Sequence, residues 1–375
     1  MRILTILGAR PQFIKAAMVS RAFHALSTQH SNNKIEEIIV HTGQHYDKNM
    51  SAIFFTEMGI PEPKYTLGIG GSSHGAMTGK MLEKIDSVIQ KEKPDIVLVY
   101  GDTNSTLAGA LSAVKLHIPV AHVESGLRSF DFKNPEEVNR VLTDRISHWL
   151  FCPTDTAVSN LKNEGMTDAY RSSHAFPFIQ NVGDVMFDAA LYFKKRAKPS
   201  SSLSKFLKSN PSFYIATLHR AENTDDEKRL LSIMEALNKV SQSESPVLLP
   251  LHPRTRKLLQ THVKKNNKIG ANIKIIDPVG YFDMLLLLDA CEGVFTDSGG
   301  LQKEAYFFRK PCALFLPFSP WVELVDNGYA ILVDADKDKI SDAWNHFMSK
   351  ALPPSKPLFG SGKTAMTIGK ILLKR

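Results

Sequence analysis

Apolar residues in this chain gather in short, largely continuous runs rather than in alternation. Residues 2–7, 35–41, 96–100, 118–123 and 149–152 are such runs, each closed by a glycine, a proline or a polar residue. A run apolar on both sides of its pleat fits a strand buried on both faces, as in a parallel sheet covered by helices. Helical spacing falls between the runs, at 77–91, at 139–148 and after Pro153-Thr154-Asp155, which reads as the cap of the next helix. A second series, 213–218, 247–251, 273–276, 293–296, 311–316 and 330–333, repeats the scheme. Two such series predict an α/β chain of two doubly wound Rossmann-like domains facing a cleft. The expected boundaries are 1–180 and 181–359, with a final amphipathic helix, 360–375, crossing back to the first domain. Segments 61–74 and 168–180 read as loops, and the Lys/Ser-rich stretch 194–209 reads as an exposed connector.

The 375 residues, 43% hydrophobic and 22% charged, suit a two-domain globular protein. A net charge of +8 favours an anionic ligand, but the basic residues are scattered and form no arm or helix face for nucleic acid. Cys152, Cys291 and Cys312 are odd in number, far apart and set in apolar runs, which predicts buried thiols of a cytoplasmic protein. The opening MRILTILGARPQF reads as a first strand rather than a signal peptide or membrane anchor. GIGGSSHG, at 68–75, follows no buried strand and has the wrong spacing for a dinucleotide fingerprint, so no cofactor is expected. No HxH, HExxH or paired Asp box calls for a metal.

The chemistry concentrates between Asp95 and Arg140. The strands at 96–100 and 118–123 belong to one βαβ unit and point the same way, so Asp102 and Glu124 emerge together at the carboxyl edge, where open α/β sheets bind ligands. The structural alternative is that Asp102 caps the next helix and Glu124 pairs with Arg128. Glu136, Glu137, Arg128 and Arg140 crowd the same segment and favour an acid/base site. Ser298-Gly299-Gly300 lies between a strand and a helix, where backbone N–H groups at the positive helix end can cradle a diphosphate. Arg10, Lys15, His219, His252 and Arg254 stand at or just beyond strand ends as further donors, and Glu304 is placed to accept both hydroxyls of a ribose. Together these read as a nucleotide-sugar site.

The motifs GARPQFIK, HTGQH, GDTNSTLAGALSA, HVESGLRS, PEEVNR, LHRAEN, LHPR and TDSGGLQKEA, in this order over nearly the whole chain, resemble the non-hydrolysing UDP-N-acetylglucosamine 2-epimerases. The resemblance implies a glycosyltransferase-B-like fold, a homodimer, and interconversion of UDP-N-acetylglucosamine and UDP-N-acetylmannosamine through elimination and re-addition of UDP. It implies acid/base roles for Asp102, Glu124 and Glu136, a place near the diphosphate for His219, and UDP contacts for Arg10, Ser298, Gly299, Gly300 and Glu304. Trp321 departs from the usual pattern by replacing an arginine expected near the phosphates. With QKEAY, it resembles the subgroup acting on UDP-2,3-diacetamido-2,3-dideoxyglucuronate, so two sugars stay open. Asp47 takes the place of the second glutamine in a Gln-His-x-Gln activation segment, which predicts little substrate activation. A UDP-sugar glycosyltransferase would use the cradle but not the carboxylates. A sensor that only binds UDP has no use for three carboxylates near an anionic diphosphate.

Overall fold

The structure, a computed structural model, describes residues 1–29, 34–44, 58–167, 177–242, 244–262 and 269–374. His45 and Asp47, and residues 168–176 of the expected linker, lie outside the described residues. The two series of apolar runs form two parallel sheets in two compact units, residues 1–189 with 357–375 and residues 190–356. The division therefore falls about nine residues later than the sequence suggests at the first crossing.

In the first unit, the described residues form β1 (Arg2–Leu7), β2 (Glu36–His41), β3 (Tyr65–Thr66), β4 (Ile96–Tyr100), β5 (Val120–Val123), β6 (Trp149–Cys152) and β7 (Phe178–Asn181). Their order is β3-β2-β1-β4-β5-β6-β7. In the second unit, β8 (Tyr214–Thr217), β9 (Val247–Pro250), β10 (Ile273–Ile276), β11 (Gly293–Thr296), β12 (Cys312–Leu314) and β13 (Ala330–Leu332) follow the order β10-β9-β8-β11-β12-β13. Each order reverses once, between β1 and β4 and between β8 and β11. Crevices at such reversals, outside the carboxyl ends of the strands, are where doubly wound sheets bind ligands. Every residue of β4 is buried, which is why its run shows no alternation. Each such Val or Leu contributes about 1.5–3 kcal/mol through burial.

The structure corrects four local readings. Tyr65–Thr66, expected as loop, joins the sheet edge as β3, and Phe178–Asn181, assigned to the linker, is β7. Within the expected connector, Ser201–Ser209 is a helix whose N-cap Ser200 accepts a hydrogen bond from the Leu203 N–H. The helix expected from 139 begins at Pro135, which needs no N–H donor in the first turn, with Asn134 as its cap.

The helix Thr364–Leu373 belongs to the first unit and packs on Arg10–Gln29, with Gly369 set against Leu26 and Phe23. Its start is capped from a distance: the Thr364 and Ala365 N–H groups donate to the Asp188 carboxylate at 3.1 and 2.8 Å. The outgoing and returning segments cross at Gly183 and Gly360. A Cβ on Gly183, whose φ is +85°, would stand 3.0 Å from the Gly360 Cα, so only glycine fits.

Cys152, Cys291 and Cys312 are free and buried. Burial pushes the Cys152 and Cys291 thiols up to about 12 and raises Cys312 as well. Thiolate is the reactive form. Iodoacetamide at neutral pH should therefore leave the native protein unlabelled and modify all three thiols after unfolding, as read by intact mass. Among the described residues, no helix is long and apolar enough to cross a membrane.

Candidate active site

In the first unit, the turn after β4 carries Asp102. Gly101, at φ +65°, makes the reversal, and its N–H donates to the Val123 carbonyl at 2.9 Å, so the turn stays registered on β5. A side chain at Gly101 would meet the left-handed backbone penalty beside the Glu124 carboxylate. The following helix, Asn104–Lys115, is capped by Thr103, whose hydroxyl accepts from the Thr106 N–H; Asp102 is thereby left out of the cap. Asp102 instead meets Arg140, with Nη2 to Oδ2 at 2.6 Å. The same guanidinium holds Glu137 at 2.7 Å, and Glu137 accepts the Ser129 and Phe130 N–H groups, both at 2.9 Å. Burial pushes the Glu137 carboxyl up, but these two N–H groups and Arg140 outweigh it and hold it below the usual carboxylate range.

Glu124 follows β5 at φ +70°, an uncommon conformation for a residue with a side chain and one that clusters at functional sites. Its partner is Lys15, not Arg128: Nζ lies 2.5 Å from Oε1, and the side chains are only 5% and 12% exposed. Arg128 turns away to Asp144 at 2.7 Å and to Glu164 through both Nε and Nη2. Two carboxylates thus stand at adjacent strand ends, each with its own cation. Glu136, one residue before Glu137, is exposed, and its backbone N–H donates to the Asn134 cap.

Sequence reasoning did not single out Gln12. Its buried carboxamide accepts the Gly8 and Ala9 N–H groups at 2.7 and 2.9 Å and donates to the Tyr100 carbonyl at 2.7 Å. It therefore ties the turn after β1, where Arg10 starts a helix, to the turn after β4 across the reversal of strand order. A glutamine five residues past a strand carries no signal of that cross-link.

In the second unit, His219 follows β8 and Ser298 follows β11, the two strands at the reversal. Asp297, buried completely, accepts from His219 Nδ1 at 2.7 Å and from the His219 and Arg220 N–H groups. Burial raises the Asp297 carboxyl, but His219 and these N–H groups outweigh it and hold the carboxyl below its usual range. The pairing fixes the imidazole with Nε2 outward, on a side chain 55% exposed. Asp297 was visible only as part of TDSGG, without a role.

Ser298 caps the helix Gly299–Phe307 by accepting from the Leu301 N–H, and leaves the Gly299 and Gly300 N–H groups in the unpaired first turn. A Cβ on either glycine would meet no atom closer than 4.0 Å, so the space before this helix end is open. Trp321 fixes that end: its indole N–H donates to the Gly299 carbonyl at 3.0 Å, and the Lys303 ammonium lies 3.9 Å over its ring. Glu304 is buried one turn further along. His252 and Arg254, after β9, are exposed, and Arg254 pairs with Asp225 at 2.6 Å.

A family model described as UDP-N-acetylglucosamine 2-epimerase matches residues 27–373. A Pseudomonas aeruginosa protein named UDP-2,3-diacetamido-2,3-dideoxy-D-glucuronate 2-epimerase is 52% identical, with 100% of both chains covered. The crystal structure of Methanocaldococcus jannaschii UDP-GlcNAc 2-epimerase in complex with UDP-GlcNAc and UDP is similar at a TM-score of 0.85 and 42% identity, again covering 100% of both chains. The Neisseria meningitidis UDP-GlcNAc 2-epimerase bound to UDP-GlcNAc has a TM-score of 0.84 at 27% identity, with 100% of both chains covered.

Proposed function

This chain belongs to the UDP-N-acetylglucosamine 2-epimerase family, and from that premise we propose that it inverts C2 of a UDP-2-acetamido sugar by eliminating UDP and adding it back. C2–H has no adjacent carbonyl, so direct deprotonation would give an unstabilised carbanion. Elimination avoids this: a carboxylate takes the C2 proton, the C1–O bond to UDP breaks, and a C1=C2 double bond forms. Re-addition delivers a proton to the other face of C2 while UDP returns to C1.

The observation that carries the chemistry is the pair of carboxylates at adjacent strand ends, Asp102 on Arg140 and Glu124 on Lys15. Each proton transfer is worth about 10²- to 10⁴-fold. Glu136, exposed on the same unit, is a third candidate for proton transfer. For the departing UDP, the Ser298–Gly300 helix end and His219 on Asp297 supply donors to the diphosphate, Glu304 a ribose acceptor, and Arg10 a further cation. We assign the enzyme to the cytoplasm, as a homodimer, without cofactor or metal.

The identity of 52% over the whole chain supports UDP-2,3-diacetamido-2,3-dideoxyglucuronate as the substrate. UDP-N-acetylglucosamine is the second reading, supported by the Methanocaldococcus enzyme at 42% identity. Proton NMR of each sugar with the protein in deuterium oxide tests both. The expected result is a second epimer of the true substrate, with deuterium at C2 of both epimers. Turnover with full retention of C2 protium would overturn the elimination mechanism.

A further inference from the structure

The turn that presents Asp102 is held in an unusual way: three successive carbonyls are each taken by a side chain. Gln12 Nε2 and Thr106 Oγ1 donate to the Tyr100 oxygen at 2.7 and 2.6 Å, and Asn139 Nδ2 donates to the Asp102 oxygen at 2.9 Å. Between them, His122 Nε2 donates to the Gly101 oxygen at 2.7 Å. His122 lies on β5, two residues before Glu124, and is completely buried.

The other ring nitrogen, Nδ1, faces Asp144 Oδ1 at 2.7 Å. Burial pushes the Asp144 carboxyl up, but His122 and Arg128 outweigh it and hold it below the usual carboxylate range. The Gly101 carbonyl can only accept, so Nε2 carries a proton, and Nδ1 is left facing the Asp144 carboxylate. The second oxygen of Asp144 accepts from Arg128 Nη1 at 2.7 Å and from the Gly126 N–H at 3.1 Å. One buried carboxylate thus reaches both turns: through His122 to Gly101, and directly to Gly126, two residues past Glu124.

We infer that His122 and Asp144 are positioning residues of the reaction, which together set the separation between Asp102 and Glu124. The inference rests on the proposed epimerase reading, because it concerns the two carboxylates that serve C2. Displacing a reacting group by about 1 Å costs about 10²-fold in rate.

The test is a pair of variants. In His122→Gln, the side-chain amide still reaches Gly101, but its oxygen is turned against the Asp144 carboxylate, acceptor to acceptor. Adding Asp144→Asn puts a donor opposite that oxygen and rebuilds the chain of hydrogen bonds without charge. The expected result is a kcat about 10²-fold lower in His122→Gln with UDP affinity within about twofold. The double variant should recover about tenfold, a coupling of the size found within one hydrogen-bond network. A merely structural role would lower the folded fraction and leave kcat per folded molecule in place. A kcat for His122→Gln within about twofold of the unaltered chain, or a double variant no better than the single one, overturns the inference. Should His122→Gln fail to fold, the double variant decides alone: kcat within about tenfold of the unaltered chain supports the inference, and a larger loss overturns it. Crystal structures of the unaltered chain and of whichever of these variants folds give a check independent of turnover. The Asp102–Glu124 separation changes in His122→Gln and is kept in the double variant if the inference holds; an unmoved pair in the first, or a displaced pair in the second, overturns it. Failure of the unaltered chain to epimerise either sugar would count against the epimerase reading instead.

Discussion

Asp102→Asn should lower kcat by about 10²- to 10⁴-fold, the range expected when a positioned acid/base group is lost. The substitution keeps size and removes only the ability to hold and pass a proton. Its effect on the fold is limited, because Arg140 keeps Glu137 as a buried counter-ion at 2.7 Å. The Lys15–Glu124 pair is also left intact, since no side-chain bond links it to Asp102 among the described hydrogen bonds and ion pairs. UDP affinity, assigned above to donors around β8 and β11 and to Arg10, should change by less than about twofold, so the loss appears in kcat and not in binding. Steady-state kinetics and calorimetric titration with UDP separate the two. Equal losses in both would assign Asp102 to binding or to the fold.

Asp144→Ala should be the most damaging single change to stability. Asp144 is completely buried and serves His122, Arg128 and the Gly126 N–H at once. Removing it leaves buried donors of His122, Arg128 and Gly126 without their acceptor, and breaking a buried pair in this way costs about 3–5 kcal/mol. Arg128 retains Glu164, but His122 is left against the Gly101 carbonyl alone. A loss of this size corresponds to roughly 10 °C in the thermal midpoint of a unit this large, measurable by calorimetry. The pH dependence has a definite sign. Asp144 is held below its unfolded value, so its contribution is complete above the ordinary carboxylate range and is lost as pH falls through the folded value. The difference between the unaltered protein and Asp144→Ala should therefore shrink on acidification. A difference that grows would mean that the carboxyl does not act as an ion.

Asp102 also marks what was legible in the sequence, and Asp144 what was not. Asp102 and Glu124 could be found because a carboxylate after a fully buried run has a defined place, the carboxyl edge of a parallel sheet. Their partners could not. Arg140 is 38 residues from Asp102, Lys15 is 109 from Glu124, and Asp297 is 78 from His219. Such pairings depend on strand order, which the chain does not spell out locally. Proximity misleads: Arg128, four residues from Glu124, pairs with Asp144, and Glu124 pairs with Lys15.

The same physics separates the elements that were readable from those that were not. β4 and β5 bury every residue and announce themselves as apolar runs. β3 and β7 lie at the edges of their sheet with no fully buried residue, so neither continuity nor alternation marks them. The helix Ser201–Ser209 buries only Leu203, and its Lys and Ser residues resemble those of a linker.

The return of residues 357–375 to the first unit sets an order on biosynthesis. As the chain leaves the ribosome, residues 190–356 emerge complete while the first unit still lacks the helix Thr364–Leu373 that covers Arg10–Gln29. Until that helix arrives, the Asp188 carboxylate has no Thr364 and Ala365 N–H groups to accept, and the glycine crossing at 183 and 360 cannot close. The first unit is thus completed only after the second has emerged, and its apolar helix face must wait, exposed to chaperones and to neighbouring nascent chains, for the length of an entire domain.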